Sequence, residues 1–251
     1  MRTAVLIAAL AFPAAALADT TLEYDVLFHG KLGGTQTTVI GDNGRTQVNY
    51  SHRANGRGPD LEEVIRLAPD GTFASYRLQG KTTYGAVLDE QFAIERGRAS
   101  WTSSAERGFK DLSAPAMYLP NYGTHETSAM IVRATQKAGG SLPGLPGGEL
   151  KSQLLKTVRI GTAAEERAVA LYAILGTGLQ PDYVWLDAEG DQALFANIYV
   201  GGSKMIRTGF ATHAALLERE QAAAEAEYLR TIAKQQVQHL PEPILIRDVR
   251  V

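Results

Sequence analysis

The chain has 251 residues, a formal net charge of −2 at pH 7 and no cysteine. The lack of cysteine excludes disulfides, thiol nucleophiles and thiolate metal sites. The 25 basic and 27 acidic residues nearly balance, without the basic excess that marks proteins that bind nucleic acid. We therefore expect no nucleic-acid partner.

The N-terminus has the three parts of a secretory signal peptide. Arg2 provides a basic start, residues 4–17 are almost all small or apolar, and Ala16-Leu17-Ala18 fits an A-x-A cleavage site. A membrane anchor is the alternative, but the apolar run is shorter than the roughly 20 residues that span a bilayer, and Pro13 interrupts it. We expect residues 1–18 to be removed, leaving a periplasmic or secreted chain with no membrane partner.

Alternating apolar residues predict antiparallel strands in the first part of the mature chain. In the segment that begins at Thr21, the residues of one face are Leu22, Tyr24, Val26 and Phe28. Sequences typical of turns then separate the predicted strands: Gly30–Gly34, Asp42–Gly44, Pro69–Gly71 and Asp187–Gly190. Further strands are predicted at 37–40, 48–52, 64–67, 73–78, 87–94, 99–102, 153–160, 168–175, 183–186 and 193–200.

Two segments have helical patterns. The first runs from Thr124, a suitable N-cap, to Ala138 and ends at Gly139-Gly140. The prolines and glycines of Leu142–Gly148 then predict an irregular loop. The second helix, Thr212 to about Val237, contains no glycine or proline and is rich in good helix formers.

These elements predict a mainly β fold: a curved antiparallel sheet or open barrel with one inner helix and a long C-terminal helix. A β-sandwich is the alternative, because turn spacing does not separate the two. We predict a β-rich domain at 19–210 and a linker helix at 211–240. The apolar segment 244–251 is predicted to be a strand that either begins a missing or adjoining domain or closes the sheet of this one.

No pattern of catalytic residues is present in the sequence. The five histidines do not have the spacings that place two ligands on one metal, and there is neither a nucleophile elbow nor a P-loop. We expect no catalytic residue, metal ligand or cofactor in this chain. A metal-free hydrolase that uses tyrosines or glutamates at a barrel mouth is an alternative without a supporting motif.

A few residues are candidates for ligand binding. Arg57, on the glycine turn Asn55–Pro59, could hold a carboxylate or phosphate through two hydrogen bonds; the alternative is a solvated arginine in a turn. Several aromatic residues could line a ligand cavity or instead fill the core: Tyr84, Trp101, Tyr118, Tyr122 and Trp185. The weak ligand-binding set is Arg57, Tyr84, Trp101 and Trp185.

Four segments in this order resemble the N-terminal part of exported bacterial amidohydrolases: Asn55–Pro59, Leu145–Glu149, Leu179–Asp187 and Ile246–Val251. The resemblance implies a β-rich accessory region and a helix that precede a metal-dependent hydrolase barrel, which would be the partner domain. The chain ends before the H-x-H pair of that family, so no catalytic residue is transferred. The expected function is a non-catalytic accessory region of a truncated amidohydrolase-like protein. The alternative is a complete periplasmic β-rich module with a ligand-binding or structural role.

Overall fold

The structure is a computed structural model that describes residues 19–41, 43–161 and 166–237. The signal peptide predicted at 1–18 and the strand predicted at 244–251 lie outside these residues. None of the helices in the described ranges combines the length and the apolar character needed to cross a bilayer.

The described residues form fifteen strands and two α-helices. The strands are β1 Thr20–Phe28, β2 Lys31–Ile40, β3 Arg45–His52, β4 Asp60–Leu67, β5 Phe73–Lys81, β6 Val87–Glu95, β7 Arg98–Thr102, β8 Arg107–Asp111, β9 Met117–Tyr118, β10 Ser141–Leu145, β11 Glu149–Ile160, β12 Arg167–Leu175, β13 Asp182–Asp187, β14 Leu194–Ile198 and β15 Lys204–Arg207. The helices are α1 His125–Lys137 and α2 Ala214–Gln236, and a 3₁₀ turn, Ala211–His213, precedes α2.

All fifteen strands belong to one sheet, in the order β8-β7-β6-β5-β4-β3-β2-β1-β15-β14-β13-β12-β11-β10-β9. Neighbours are antiparallel, except that β9 pairs with β10 in parallel. The sheet curls strongly. Strand β9 is at one end of the strand order and β6 is near the other, yet the ring of Tyr118 in β9 stacks on Phe92 in β6 with 4.5 Å between ring centroids. The prediction of a mainly β fold with a curved sheet or open barrel, an inner helix and a long C-terminal helix is therefore confirmed.

Helix α1 lies inside the curled sheet. It contacts β10 to β14, and its apolar residues Met130, Ile131 and Val132 are buried in one cluster with the inward residues Tyr24 and Val26 of β1. At the end of the helix the backbone N–H of Gly140 donates to the carbonyl of Thr135 at 2.7 Å. The inner helix was thus correctly predicted from its apolar spacing and its terminal glycines.

Helix α2 packs on the outside of the sheet. Its first half buries Leu217 against a second apolar cluster that includes Trp185 of β13 and Phe195 of β14. The second half is more exposed, with Leu229 about half accessible. The helix therefore contacts the sheet mainly through its first turns.

The predicted turn at Gly30–Gly34 is wrong in extent. His29 and Gly30 alone make the turn, both with positive φ (50° and 77°), which is the geometry that two-residue hairpins need. Gly33 and Gly34 belong to β2, and Gly34 pairs with His52 of β3. Glycine is used there because a Cβ on Gly34 would lie 2.3 Å from the carbonyl oxygen of Ser51.

The irregular loop predicted at Leu142–Gly148 is also partly wrong, because Ser141–Leu145 forms β10. Pro143 faces Glu149 of β11 on one side, while pairing with β9 on the other side begins at Gly144. Proline is tolerated at such a position because no partner strand on that side requires its missing N–H. The short strands β8, β9 and β15 were not predicted from the sequence.

Candidate functional site

A cavity of about 580 Å³ lies between the first turn of α1, strands β13 and β14, and the first half of α2. This volume is within the range of small-molecule pockets in proteins. We call it the α1–α2 cleft, and its principal side chains are His125, Ser128, Tyr183, Asn197, Tyr199 and Glu225.

His125, the first residue of α1, connects the cleft to an aromatic cluster on β3. Its ring meets the edge of Tyr50 with 5.3 Å between centroids, and the Tyr50 hydroxyl lies 2.8 Å from Nδ1 of His52. His52 in turn packs against Phe28 at 5.0 Å. The two histidines and Tyr50 therefore form one contiguous group beside the cleft.

Burial controls the protonation of this group. It lowers the pKa of His125 to about 4, with a smaller contribution from the nearby His52. The pKa of His52 is lowered by burial and by the charge of Arg53, and burial together with Tyr122 raises the pKa of Tyr50 to about 12. At neutral pH the cluster thus presents neutral imidazoles and a protonated phenol, all of which can exchange hydrogen bonds with an uncharged partner.

On the opposite wall, a chain of hydrogen bonds extends from the outer core to the cleft. The indole N–H of Trp185 donates to Oε1 of Gln221 at 2.8 Å, and the Gln221 amide donates to the carbonyl of Ile198 at 2.9 Å and to Glu225 at 2.6 Å. Burial raises the pKa of Glu225, although the hydrogen bond from Gln221 opposes this. Trp185 therefore does not line the cleft but contacts a residue that does.

Tyr183 and Tyr199 add two phenol groups to the cleft. Burial, followed by the charge of Glu225, raises the pKa of Tyr183 to about 12, and its hydroxyl oxygen is buried without a hydrogen-bond partner among the described residues. Tyr199 is 72% exposed. Its ring lies over Gly202, where a Cβ would be 2.2 Å from Cδ1 of Tyr199. The glycine therefore sets the position of an exposed aromatic face.

Two buried carboxyl groups hold the segment that leads into α1. Glu63 of β4 accepts hydrogen bonds from Tyr76 at 2.8 Å, from the Thr124 hydroxyl at 2.5 Å and backbone N–H at 3.2 Å, and from Thr127 at 3.1 Å. Burial raises its pKa, while these hydrogen bonds lower it. Thr124 occupies the predicted N-cap position, but its side chain bonds Glu63 and not the helix backbone.

Glu90 of β6 holds the same segment closer to its start, at residues that precede Thr124. It accepts hydrogen bonds from the Tyr118 hydroxyl at 2.8 Å and from the backbone N–H groups of Asn121 and Tyr122 at 2.7 and 3.1 Å. Burial raises its pKa against the effect of these bonds. Together, Glu63 and Glu90 fix the start of α1 and hence the position of His125 in the cleft.

The four residues in the predicted ligand-binding set lie apart. Arg57 is exposed in the β3–β4 connection, and Tyr84 is 85% exposed in the β5–β6 turn. Trp101 points into the barrel, with its indole N–H bonded to Glu106 at 2.8 Å, whereas Trp185 is buried beneath α2. They do not form one site, and their role in ligand binding stays a prediction.

His125 and Ser128 of the cleft are three residues apart on α1. Over residues 19–41, 43–161 and 166–237, no group of three or more His, Cys, Asp or Glu side chains is arranged to hold a metal ion.

Sequence reasoning missed the cleft residues because they come from four separate segments. His125 was judged only by its spacing to other histidines, and Tyr183, Tyr199 and Glu225 belong to strand, turn and helix patterns that explain them without a ligand. The exposed tyrosine beside a Gly-Gly turn, Tyr199 before Gly201-Gly202, was the one local signal available.

Comparisons with known proteins find similar solved structures but no family. No family model matches the chain, and no curated protein matches it. Among solved structures, it is similar to a β-barrel-like protein of domain of unknown function DUF1849 from Brucella abortus, at 11% identity and a TM-score of 0.46, covering 78% of this chain and 100% of that one. It is also similar to a DUF1089 family protein from Pseudomonas aeruginosa, at 11% identity and a TM-score of 0.29, covering 77% and 96%.

The resemblance to the N-terminal region of exported amidohydrolases is wrong. The structural neighbours are DUF1849 and DUF1089 proteins, and no amidohydrolase family model matches the chain. Two of the four motifs that suggested it are turns: Asn55 and Gly56 form a tight turn with positive φ, and Leu145–Glu149 joins β10 to β11. Such residues recur wherever a turn needs them. The chain is a β-rich module with a curved, barrel-like sheet.

Proposed function

We propose that this chain is a self-contained β-rich ligand-binding module that holds a small, neutral, hydroxyl-rich molecule, such as one or two sugar rings, in the α1–α2 cleft. The observation that carries the proposal is the convergence of hydrogen-bonding side chains, without a lysine or arginine, and one exposed aromatic face on a single cavity of about 580 Å³.

The chemistry of the cleft walls favours a neutral ligand over an anion. The lining residues include Asp182 and Glu225 but no lysine or arginine. Burial raises the pKa of Glu225, and its carboxyl group can accept hydrogen bonds from the hydroxyl groups of a ligand. The amide of Asn197 and the hydroxyl of Ser128 add groups of the same kind, which suit a ligand rich in hydroxyl groups.

Tyr199 supplies the apolar part of the proposed site. An aromatic ring that is 72% exposed and held over Gly202 offers a flat face to the C–H side of a sugar ring. The N-terminal sequence supports a place for this module in the periplasm or outside the cell, where free saccharides are available.

Trp185 provides the test, because its indole bonds Gln221 in the cleft wall. A Trp101→Phe variant of the full chain leaves Trp185 as the single tryptophan, since the sequence contains two. We expect saturable changes in its emission on titration with glucose, N-acetylglucosamine or maltose. Tyr199→Ala should weaken binding roughly tenfold if stacking contributes about 1.4 kcal/mol.

Tyr84→Ala is the matched control, because Tyr84 is equally exposed but lies in the β5–β6 turn. It should leave the affinity unchanged. The proposal is wrong if no saccharide changes the Trp185 signal, or if a cationic amine such as choline binds more tightly than every saccharide tested.

A further inference from the structure

We propose that the chain has a second binding site, on the outer face of β5 to β8, for single amphiphiles that carry one anionic head group on an unbranched acyl chain. This site is a groove of about 750 Å³. We call it the outer groove, and its defining residues are Ser75, Arg77, Ala93, Ser100, Arg107 and Phe109. It is separate from the α1–α2 cleft, so neither proposal rests on the other.

The floor of the groove is a row of small side chains across neighbouring strands. Ser75 of β5 pairs with Ala93 of β6, and Ala93 pairs with Ser100 of β7. On the opposite face of the same strands, large rings fill the barrel, including Phe92 and Trp101. The small outward residues therefore leave a trough that continues to β8, roughly 14 Å long across three strand spacings of about 4.8 Å.

Phe109 of β8 closes one end of this row, opposite Ser100. It is 67% exposed, although the strands beside it are well packed. The guanidinium of Arg98 lies 5.0 Å from its ring centroid, and Arg98 is itself held by two hydrogen bonds to Asp111 at 2.7 and 3.1 Å. The ring is thus fixed in an exposed position, which gives the trough an apolar wall.

The neighbouring row supplies positive charge. Arg77 and Arg107 stand at either end of a row completed by Gln91 and Thr102. Arg77 has a long ion pair of 3.7 Å with Asp89, and Arg107 makes no ion pair within the part of the chain that the structure describes. The groove is lined by two arginines and by no acidic residue.

Shape and charge together select the occupant. An extended acyl chain fits a narrow trough of small residues that ends at an aromatic wall, and a carboxylate on that chain would lie near the arginine row. A neutral sugar would not use the arginines, and an anion without a chain would leave the trough and the exposed ring of Phe109 uncovered. An acyl chain with one anionic head group satisfies both parts of the groove.

Trp101 reports on this site, because its ring lies under β8, where a Cβ on Gly108 would be 2.5 Å from its Cζ2. The experiment uses the full chain with Trp185→Phe, which leaves Trp101 as the fluorophore, and titrates octanoate, nonanoate and decanoate below their micellar concentrations. Calorimetry on the unmodified chain repeats the titration in case the variant folds poorly. We expect binding that strengthens two- to fourfold with each added methylene, since a fully buried methylene contributes roughly fourfold.

Two variants test the parts of the groove separately. Ser100→Leu fills the trough at an exposed position and should weaken decanoate binding by roughly tenfold or more. Arg107→Ala should weaken it two- to fivefold and leave decanol unaffected. Arg57→Ala is the control, because Arg57 is an exposed arginine in the β3–β4 connection. It should change the affinity for neither decanoate nor decanol.

The proposal is overturned if decanol binds as tightly as decanoate, or if Ser100→Leu leaves decanoate binding unchanged. It is also overturned if the chain binds vesicles of anionic lipid but no monomeric fatty acid, because the surface would then recognise a membrane and not a single amphiphile.

Discussion

The hydroxyl of Tyr76 lies 2.8 Å from Oε1 of Glu63 and also 2.8 Å from the carbonyl oxygen of Tyr122. A hydroxyl has one proton and can donate to only one of these acceptors at a time. Burial raises the pKa of Glu63, and a protonated Glu63 can donate to Tyr76 while Tyr76 donates to Tyr122. The inside of the barrel therefore contains a hydrogen-bond network that ties β4 and β5 to the start of α1.

Substitutions at Glu63 should separate its hydrogen bonds from its charge. Glu63→Gln keeps an acceptor for Tyr76 and a donor for the Thr124 hydroxyl, so we expect the free energy of unfolding at pH 7 to change by no more than about 1 kcal/mol. Glu63→Leu leaves the buried Thr124 and Thr127 groups unpaired and should cost at least about 2 kcal/mol. Urea denaturation measures both, and equal losses in the two variants would contradict the network.

Stability should fall as the pH is lowered from about 6.5 to 4 because of His125. Its pKa is about 4 in the folded protein and 6.5 ordinarily, so the unfolded state takes up a proton first and the stabilisation present above pH 6.5 is lost through this window. The loss due to His125 should be roughly 1–3 kcal/mol. In His125→Phe, which keeps a ring against Tyr50, part of this slope should disappear, and His52, whose pKa is also lowered, should account for the remainder.

Titration of Glu63 should change the stability in the opposite direction, lowering it as the pH rises. Its pKa is raised above the ordinary value of 4.5, so the folded state binds the proton more readily, and its stabilising effect is complete below pH 4.5 and lost as the pH rises through the raised pKa. Denaturation of Glu63→Gln across the same pH range should show a smaller decline above pH 4.5 than the unchanged chain. Identical profiles would mean that Glu63 titrates normally.

Gly202→Ala should weaken ligand binding in the α1–α2 cleft without unfolding the protein. The new Cβ would lie 2.2 Å from the Tyr199 ring, and an exposed ring can rotate away at little cost. We expect a loss of saccharide affinity close to that of Tyr199→Ala, with a thermal midpoint within about 2 °C of the parent chain, since about 0.5 kcal/mol corresponds to such a shift. A large fall in the midpoint would show that Gly202 serves the fold instead.

Gly34→Ala should destabilise the protein by about 1–3 kcal/mol. Its Cβ would lie 2.3 Å from the Ser51 carbonyl oxygen and 2.5 Å from the Cα of His52, and paired backbone cannot move aside as a surface side chain can. Gly147→Ala is the control, because nothing lies within 4 Å of the added carbon. Thermal unfolding of the two variants should differ clearly, and equal midpoints would contradict the close approach of β2 and β3.

Much of the fold was predictable from local patterns. Alternation in Leu22, Tyr24 and Val26 correctly predicted the inward face of β1. The turn predicted at Pro69–Gly71 is present, and in it the backbone N–H of Thr72 donates to the Asp70 side chain at 2.9 Å. The short strands at the sheet edges could not be predicted. Strands β8 and β9 have five and two residues, which are too few to show a periodic pattern. Their strand form depends on neighbours that the sequence does not place beside them.

The candidate sites were far less predictable. The α1–α2 cleft joins His125, Tyr183 and Glu225 from segments up to 100 residues apart, since position 225 follows position 125 by that number. The outer groove depends on which small residues of β5, β6 and β7 align in one row, and this alignment is fixed by strand register. Neither set of residues has a characteristic spacing along the chain from which a binding site could be recognised.

By itself, the sequence determined the class of this protein: most of its strands, its two helices and most of its turns follow from periodicity and from the backbone preferences of glycine, proline and asparagine, which act over a few residues. Only the tertiary structure decided that Glu63 and Glu90 are buried beside the segment that leads into α1, that Trp101 and Trp185 lie on opposite sides of the sheet, and which side chains share a cavity. The physical reason is that burial and hydrogen bonding depend on how far the sheet curls, and that curl results from contacts such as Tyr118 on Phe92 between strands distant in the sequence.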